Sequence, residues 1–248
     1  PDDFLKKALE IVKIGFGQPS VFNTDAIIQE LLRQGKSIED ARNGGASGCV
    51  ETGAFGKECY ILTGYFNMPK VLEVTLNNGL DPRTGEKIGL ETGDSADFKS
   101  FEELFEAFRK QLEYFIDVKI CGNNVIERLY AECLPAPFLS LFIDDCVKKG
   151  MDYNEGGARY NTNYIQGVGL GTITDSLAAI KYQVFDEKQI TIGELLGALK
   201  ANFEGNEKLR QRLLNKTPKY GNDDEYVDHI MKTIFDVYYN AVDGKPNM

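Results

Sequence analysis

The sequence has 248 residues, of which 42% are hydrophobic and 27% charged, proportions that are ordinary for a globular protein. A formal net charge of -10 without a cluster of Lys and Arg argues against a nucleic-acid-binding surface and against attraction to anionic membranes. No segment approaches the run of about 20 apolar residues that spans a bilayer, and the chain does not open with a secretory signal. These properties predict a cytoplasmic protein with no nucleic-acid or membrane partner.

Most of the predicted elements are helices, which are indicated by apolar residues at helical spacing behind a capping residue. In chain order, helices are predicted over residues 24–34, from residue 37, and over 70–77, 101–116, 123–131, 174–182, 192–203 and 222–239. Ser100 with Glu103 and Thr191 with Glu194 form capping-box patterns that begin two of these helices. Asn23, Ser37 and Asn222 are predicted to begin three others.

Glycine-rich and polar segments separate the helices. Five glycines within residues 44–56 predict a loop, because glycine is unfavourable in the interior of a regular element. Residues 60–66 are predicted as a strand or the start of a helix, and residues 78–97 as a polar connector. Because no repeat, low-complexity tract or linker interrupts the chain, we expect one continuous, mostly helical α/β body.

The cysteine and histidine content argues against a metal site and against a disulfide scaffold. The five cysteines are Cys49, Cys59, Cys121, Cys133 and Cys146. No two of them form a C-x-x-C pair, and the sequence has a single histidine, His229, whereas zinc sites usually take several Cys and His ligands at short spacing. Reduced thiols in a cytoplasmic protein are therefore favoured, and no metal is expected.

Two other patterns could indicate a binding or catalytic site, but a purely structural interpretation is favoured for each. The Gly-x-Gly-x-Gly motif over residues 167–171 lacks the spacing of a dinucleotide-binding loop, so close backbone packing is the better interpretation. Ser140 and Ser176 could act as nucleophiles only with a histidine positioned by an acid. His229 lies in an ordinary helical pattern, so a catalytic triad is not expected.

One glycine-rich segment combines a thiol and a carboxylate, Cys49 and Glu51. In an extended conformation residues i and i+2 point to the same side, so the segment would present both groups to one pocket. A carboxylate beside a thiol disfavours the thiolate that nucleophilic catalysis requires. The pair instead suits a neutral thiol that carries hydrogen atoms while the glutamate moves protons. A buried structural cysteine remains the alternative.

Gly48-Cys49-Val50-Glu51 resembles the active-site loop of glycyl radical enzymes of the pyruvate formate-lyase type. Four further motifs are similar to the carboxy-terminal half of these enzymes: Gly-Gly-Ala-Arg-Tyr-Asn at 156–161, Gln-Gly-Val-Gly at 166–169, Asp-Ser-Leu-Ala-Ala-Ile-Lys at 175–181 and Lys-Tyr-Gly-Asn-Asp-Asp at 219–224. The resemblance extends over most of the chain, and the motifs together are highly specific. It implies that Cys49 carries a thiyl radical and that Glu51 is the acid/base group.

The residues after Glu51 resemble the subfamily that dehydrates trans-4-hydroxy-L-proline. Thr52 stands where the related diol dehydratases usually have proline. The resemblance implies that the Cys49 thiyl radical removes a hydrogen atom from the ring carbon next to nitrogen. The neighbouring hydroxyl then leaves as water, and the product becomes 1-pyrroline-5-carboxylate. It also implies that Tyr65 lines the substrate pocket, with a core aromatic as the alternative for that residue.

The same resemblance implies an architecture and several partners. The expected fold is part of the family's ten-stranded α/β barrel, mostly helical over residues 1–248, with the cysteine loop at about 44–56. An S-adenosylmethionine-dependent radical activating enzyme, a homodimer and an anaerobic cytoplasm are implied as well. The protein glycyl radical is expected outside this chain, and no metal or organic cofactor is expected within it.

The family's Arg-Val-x-Gly loop, which carries the radical glycine, is absent from the sequence. The amino-terminal part and the glycyl radical domain are therefore expected to be missing, and the isolated chain is expected to be inactive. Three alternatives remain open at this point: a diol dehydratase, a choline trimethylamine-lyase, and a non-catalytic fragment that exposes apolar surface to a partner.

Overall fold

A computed structural model describes residues 2–15 and 18–247 of the chain. The α-helices of these residues are α1 (Asp2–Val12), α2 (Thr24–Arg33), α3 (Ile38–Arg42), α4 (Met68–Leu76), α5 (Phe101–Cys133), α6 (Pro137–Ser140), α7 (Cys146–Lys149), α8 (Leu170–Ile180), α9 (Ile192–Lys200), α10 (Glu207–Asn215) and α11 (Glu225–Val242). A π-helix, Lys181–Asp186, continues α8, and Ser95–Asp97 and Tyr153–Glu155 are short 3-10 helices. The strands are β1 (Gly45–Ser47), β2 (Glu51–Gly53), β3 (Glu58–Asn67) and β4 (Tyr160–Val168). The prediction of a mostly helical α/β chain is confirmed.

The four strands form two sheets of two strands each. β1 pairs with β2 in antiparallel register, with Ser47 opposite Glu51, and β3 pairs with β4. Among the described residues no helix is long and apolar enough to cross a membrane.

The chain divides into two compact units, each made of two segments. The first unit comprises Pro1–Ile61 and Leu129–Tyr164, and the second comprises Leu62–Arg128 and Ile165–Met248. The chain passes from one unit to the other three times, and each of these boundaries lies inside a regular element: β3, α5 or β4. Since these are regular elements, no linker marks them in the sequence.

The second unit is built on a large apolar core. Leu104, Phe108 and Leu112 of α5 are fully buried at a spacing of four residues, which is the spacing of one helical face. They belong to one cluster with Leu177 of α8 and Ile234 of α11. The apolar periodicity that predicted these helices therefore does mark their buried faces.

The first unit has a smaller apolar cluster and several buried charges. The apolar cluster consists of Cys59, Cys146, Tyr153 and Ala158. Three charged side chains are also buried in this unit: Lys36, Asp40 and Glu58. Buried charges are rare unless they are paired, so ion pairs are part of what holds this unit together.

Predicted capping residues are confirmed at three helices. The Asn23 side chain accepts a hydrogen bond from the N–H of Ala26 at the start of α2, and Ser37 accepts one from the N–H of Asp40 at the start of α3. Thr191 and Glu194 form a reciprocal capping box before α9. Each side-chain oxygen satisfies an N–H that has no partner within its helix.

Several helix predictions are wrong in their boundaries; α8, for example, begins at Leu170 and not at residue 174. A separate helix over 123–131 does not exist, because α5 continues without a break through Gly122. A glycine lowers helix stability by about 1 kcal/mol, and the long buried face of α5 outweighs this loss. The last helix begins after Asp224, whose side chain caps it, and not after Asn222.

Several elements were not predicted at all. Residues 44–56 contain the β1–β2 hairpin where a loop was expected, and β4 was missed entirely. α10 was also missed; it is short and largely charged, and none of its residues is buried.

α1 presents an apolar face that the described residues leave uncovered. No residue of α1 is buried, although its apolar residues repeat at helical spacing. Phe4, Leu9 and Ile11 are exposed. A helix of this kind normally gains its stability by packing its apolar face against another element.

Candidate functional site

Cys49 lies at the centre of the turn that joins β1 to β2. The turn consists of Gly48, Cys49 and Val50, and all three residues are exposed. Gly48 has a φ of 59°, the left-handed conformation that glycine adopts readily. A three-residue hairpin turn therefore holds the thiol at the exposed end of the hairpin, and the alternative of a buried structural cysteine is wrong for this chain.

The Glu51 carboxylate folds back beneath this turn. Its Oε2 accepts hydrogen bonds from the N–H of Cys49 at 2.7 Å and of Val50 at 3.0 Å. The N–H of Val50, followed by those of Glu51 itself and of Cys49, lowers the pKa of the carboxyl below its ordinary value against an opposing effect of burial. The structure thus brings Glu51 to the backbone of Cys49 in its ionised form.

Gly48 is required by this arrangement for a second reason. A Cβ at Gly48 would collide with Oε2 of Glu51. Any other residue would therefore push the carboxylate away from the N–H groups that it binds. The glycine and the glutamate of the motif form one structural unit.

β2 is held from both sides by polar and aromatic contacts within the first unit. The Thr52 hydroxyl donates to Oε1 of Glu30 at 2.7 Å, and the Tyr164 hydroxyl donates to the carbonyl of Thr52. The ring of Tyr164 stacks on that of Tyr60, with centroids 5.7 Å apart and planes 10° apart. A Cβ at Gly53 would collide with the Tyr60 hydroxyl, so β2 lies directly against this ring.

Ion pairs lie on both sides of the hairpin in the chain. Asp40, before β1, binds Lys57, after β2, at 2.6 Å and accepts a hydrogen bond from the Tyr160 hydroxyl at 2.7 Å. The bond from Lys57, and then that from Tyr160, lowers the pKa of Asp40 far below its ordinary range. Lys36 and Glu58 form a second pair at 3.0 Å. The sequence patterns did not single out these charges as part of the site.

Tyr65 lies on β3 in the second unit and is 67% exposed. It is therefore not a core aromatic of that unit. In the same part of β3, the carbonyl of Thr63 accepts a hydrogen bond from Lys119 at 2.9 Å. A contact between Tyr65 and substrate remains a prediction.

The glycine motif at 167–171 has the packing role that was favoured for it. Gly169 precedes α8 with a φ of 88°, and a Cβ there would lie 2.7 Å from the ring of Pro69. A Cβ at Gly167 would press against Tyr238 at 3.2 Å. Close approach of side chains to the backbone explains these glycines.

The remaining candidates have structural contacts. The Ser140 hydroxyl donates to Oδ2 of Asp152 at 2.8 Å, the Ser176 hydroxyl donates to the carbonyl of Thr172, and His229 is exposed. Within residues 2–15 and 18–247, no group of three His, Cys, Asp or Glu side chains could hold a metal ion.

Three of the other resemblance motifs also make structural contacts. Arg159 and Tyr160, from the motif at 156–161, both bind Asp40. The N–H of Tyr220, from the motif at 219–224, donates to Asp175 of the motif at 175–181 at 2.8 Å. Of the five motifs, the one at 48–51 therefore presents the groups suited to radical and proton transfer.

Comparison with known proteins gives one consistent assignment. Residues 1–248 match the family model described as pyruvate formate lyase-like. The chain is 62% identical over 248 residues to the trans-4-hydroxy-L-proline dehydratase of Clostridioides difficile, covering 100% of this chain and 31% of the relative. A crystal structure of hydroxyproline dehydratase from that organism, with trans-4-hydroxy-L-proline bound, gives a TM-score of 0.91 at the same coverage.

A more distant solved structure has the same fold. The B12-independent glycerol dehydratase of Clostridium butyricum is 40% identical, with a TM-score of 0.87, over 100% of this chain and 31% of that one. The chain thus spans about a third of the length of the curated relatives it matches. Because the family model covers the whole sequence, the chain belongs to the pyruvate formate lyase-like family of glycyl radical enzymes.

Proposed function

We propose that the protein carrying this chain dehydrates trans-4-hydroxy-L-proline to 1-pyrroline-5-carboxylate, with Cys49 as the radical-carrying residue. The observation that carries the proposal is the hairpin turn that exposes Cys49 while its backbone N–H binds the Glu51 carboxylate. The 62% identity to a dehydratase named for this substrate supports the choice of substrate.

Cys49 exchanges hydrogen atoms in this proposal. A glycyl radical elsewhere in the enzyme supplies the unpaired electron by accepting the thiol hydrogen. The exposed position of Cys49 fits this requirement, because another segment can reach its sulfur. The sulfur then takes a hydrogen atom from the ring carbon next to nitrogen and returns it to the product radical after water has left.

Glu51 moves the proton that this reaction needs. Hydroxide is a poor leaving group, so a proton must reach the hydroxyl as its bond to carbon breaks. Two N–H groups of the turn favour the ionised form of the Glu51 carboxyl at rest. Glu51 therefore first accepts a proton from the substrate nitrogen, which loses one as the imine forms, and then delivers it to the leaving hydroxyl, which departs as water.

A diol dehydratase is the second candidate, because a glycerol dehydratase matches the whole chain at 40% identity. The residue after Glu51 is Thr52, where the resemblance leads us to expect proline in the diol enzymes. Tyr65 is proposed to contact the hydroxyproline ring. Hydroxyproline is therefore the first substrate to test.

The proposal extends to the rest of the enzyme. Residues 1–248 would form part of a larger catalytic barrel, which needs an S-adenosylmethionine-dependent activating enzyme to generate the radical. A homodimer and an anaerobic cytoplasm complete the proposal. No role in binding nucleic acid or membrane is proposed.

A chimeric enzyme tests the function directly. In this chimera, the chain replaces the aligned 248 residues of the Clostridioides difficile dehydratase, whose remaining residues and activating enzyme complete the system. We expect 1-pyrroline-5-carboxylate from hydroxyproline and no product from glycerol or choline. The Cys49→Ser variant should form no product while it retains the glycyl radical signal in electron paramagnetic resonance (EPR) spectra. Turnover of glycerol without turnover of hydroxyproline would contradict the proposal.

A further inference from the structure

We propose that Glu58, together with its ion-pair partner Lys36, is a positioning residue for the hairpin that carries Cys49. The proposal rests on the proposed function in one respect, namely that Cys49 exchanges hydrogen atoms with a glycyl radical. It concerns two buried charges that the sequence motifs did not point to.

Glu58 is held by three donors. Its side chain is completely buried at the start of β3. Oε2 accepts a hydrogen bond from the N–H of Ala54 at 2.8 Å, and Oε1 accepts from Nζ of Lys36 at 3.0 Å and from the Thr162 hydroxyl. The carboxylate therefore links a position directly after β2 to the segment before α3 and to β4.

Lys36 is also buried, and its ammonium group has several partners. Its side chain is 2% exposed, and besides Glu58 it binds Oε1 of Gln34 at 2.6 Å and lies 5.5 Å from the centre of the Tyr160 ring. An ammonium group without a partner would be costly at such a site. The two charges therefore depend on each other.

The two ion pairs enclose the hairpin in the chain. Lys36 and Asp40 precede β1, whereas Lys57 and Glu58 follow β2. The ends of the segment over 41–56 cannot separate unless a buried or half-buried pair breaks. Holding both ends in this way fixes the base of the hairpin within the first unit.

The bond to Ala54 distinguishes Glu58 from an ordinary stabilising residue. Ala54 is completely buried and directly follows β2, so its N–H depends on Glu58 as an acceptor. Without that acceptor, the backbone after β2 must turn to satisfy the N–H, and the shift passes along three residues to Glu51. Because a buried ion pair adds little net stability against an apolar substitute, fixing one geometry is the role that suits it.

Two double variants of the chimera separate positioning from stability. Lys36→Met with Glu58→Gln removes both charges but keeps a side-chain oxygen that can accept from Ala54. Lys36→Met with Glu58→Leu removes both charges and the acceptor as well. Neither variant leaves a buried unpaired charge, so both should fold. Glu58→Asp is a further variant, which keeps the charge for Lys36 but shortens the reach to Ala54.

The most direct readout is hydrogen exchange between the thiol and the glycyl radical. The radical carries one α-hydrogen and therefore gives a doublet EPR signal. In D2O the thiol hydrogen exchanges with solvent, so transfer through Cys49 replaces the α-hydrogen by deuterium and collapses the doublet. The rate of collapse reports the placement of Cys49 without any substrate.

We expect the double variant with Glu58→Gln, which retains the acceptor for Ala54, to behave like the unsubstituted chimera. Its EPR doublet should collapse, and it should turn over hydroxyproline, at similar rates. The Glu58→Leu double variant and Glu58→Asp should accumulate the same amount of radical and show the same KM. Their collapse rate and kcat should fall about 10- to 100-fold, which is the effect expected when reacting groups are misplaced by about 1 Å.

Equal collapse rates in the Gln and Leu double variants would overturn the proposal, since the bond to Ala54 would then be irrelevant to Cys49. A fall in radical yield without a slower collapse would also overturn it, because Glu58 would be purely structural. Failure of the proposed substrate is a separate result. In that case the unsubstituted chimera collapses its doublet normally but forms no product from hydroxyproline.

Discussion

The carboxylate of Glu51 has a structural role as well as a chemical one. It accepts hydrogen bonds from the N–H groups of Cys49 and Val50, which would otherwise be left to bind solvent. Its lowered pKa means that this interaction is fully present above the ordinary pKa of a glutamate and is lost as pH falls through the folded-state value.

A pH titration of the chimera tests this role of Glu51. Corrected for intrinsic exchange, the amide protection of Cys49 and Val50 should be constant near neutral pH and decrease in acid below the ordinary glutamate pKa. The Glu51→Gln variant should show lower protection with no such decrease, because an amide does not titrate. Hydrogen-exchange mass spectrometry on peptides that cover 45–53 measures both. Identical acid profiles for the two proteins would show that the carboxylate does not hold the turn.

The residues of the site differ in how well the sequence reveals them. Cys49 and Glu51 are two positions apart in a short motif, so their closeness follows from the chain itself. The turn that separates them, in place of the extended backbone assumed from the sequence, was not predicted. Asp40 depends on Tyr160, which is 120 residues away, and no local pattern carries that information. The burial of Lys36 and Glu58 likewise follows from tertiary packing and not from neighbouring residues.

The buried helices with an apolar stripe were predicted because their periodicity is itself the cause of their burial. α1 has a similar stripe but no buried residue, and it was not predicted. The hairpin was mistaken for a loop since five glycines suggested irregular backbone. Its short strands are instead held by contacts that glycine allows, such as the approach of Gly53 to Tyr60. Likewise, the continuity of α5 could not be read from Gly122, because a long packed face overrides one unfavourable residue.

Two glycine substitutions test the turn as an element. Gly48 and Gly56 both have positive φ, 59° and 70°, so alanine at either position adds about 1–2 kcal/mol of backbone strain. A Cβ at Gly48 also collides with Glu51, whereas at Gly56 the nearest atom is 4.0 Å away. Gly48→Ala should therefore lower the kcat of the chimera by at least about tenfold more than Gly56→Ala.

Gly56→Ala is the matched control in this comparison because it shares the strain but not the collision. The measurement is kcat on hydroxyproline, with the glycyl radical content determined by EPR for each variant. Equal losses in the two variants would mean that strain alone matters and that the contact between Gly48 and Glu51 does not.

At the scale of the whole molecule, the expected relation to glycyl radical enzymes is confirmed. The chain superposes over its full length on about a third of a hydroxyproline dehydratase with a TM-score of 0.91. The division into two units was not visible in the sequence, since each change of unit falls inside a strand or helix. Amphipathic α1 is the element whose apolar face most clearly lacks a cover among the described residues.

The uncovered face of α1 leads to a prediction for the isolated 248-residue chain. We expect it to bind a hydrophobic dye and to self-associate, because exposed apolar patches drive association. Phe4→Ser with Leu9→Ser should reduce both effects. Leu214→Ser is the control, because Leu214 on α10 is as exposed as Leu9. This substitution should change dye binding and self-association little. Sedimentation velocity and dye fluorescence provide the measurement, and a monomeric chain that binds no dye would contradict the prediction.

The contact between Gly53 and Tyr60 also limits how this active site could be re-engineered. Burial, followed by the charge of Glu58, raises the pKa of Tyr60 to about 12, so its hydroxyl stays neutral beside β2. Any Cβ at Gly53 collides with that hydroxyl. In a directed-evolution library that randomises the whole hairpin, most variants would therefore carry a residue at position 53 that prevents β2 from packing against Tyr60. Diversity placed at Tyr65, which is exposed, leaves this contact intact.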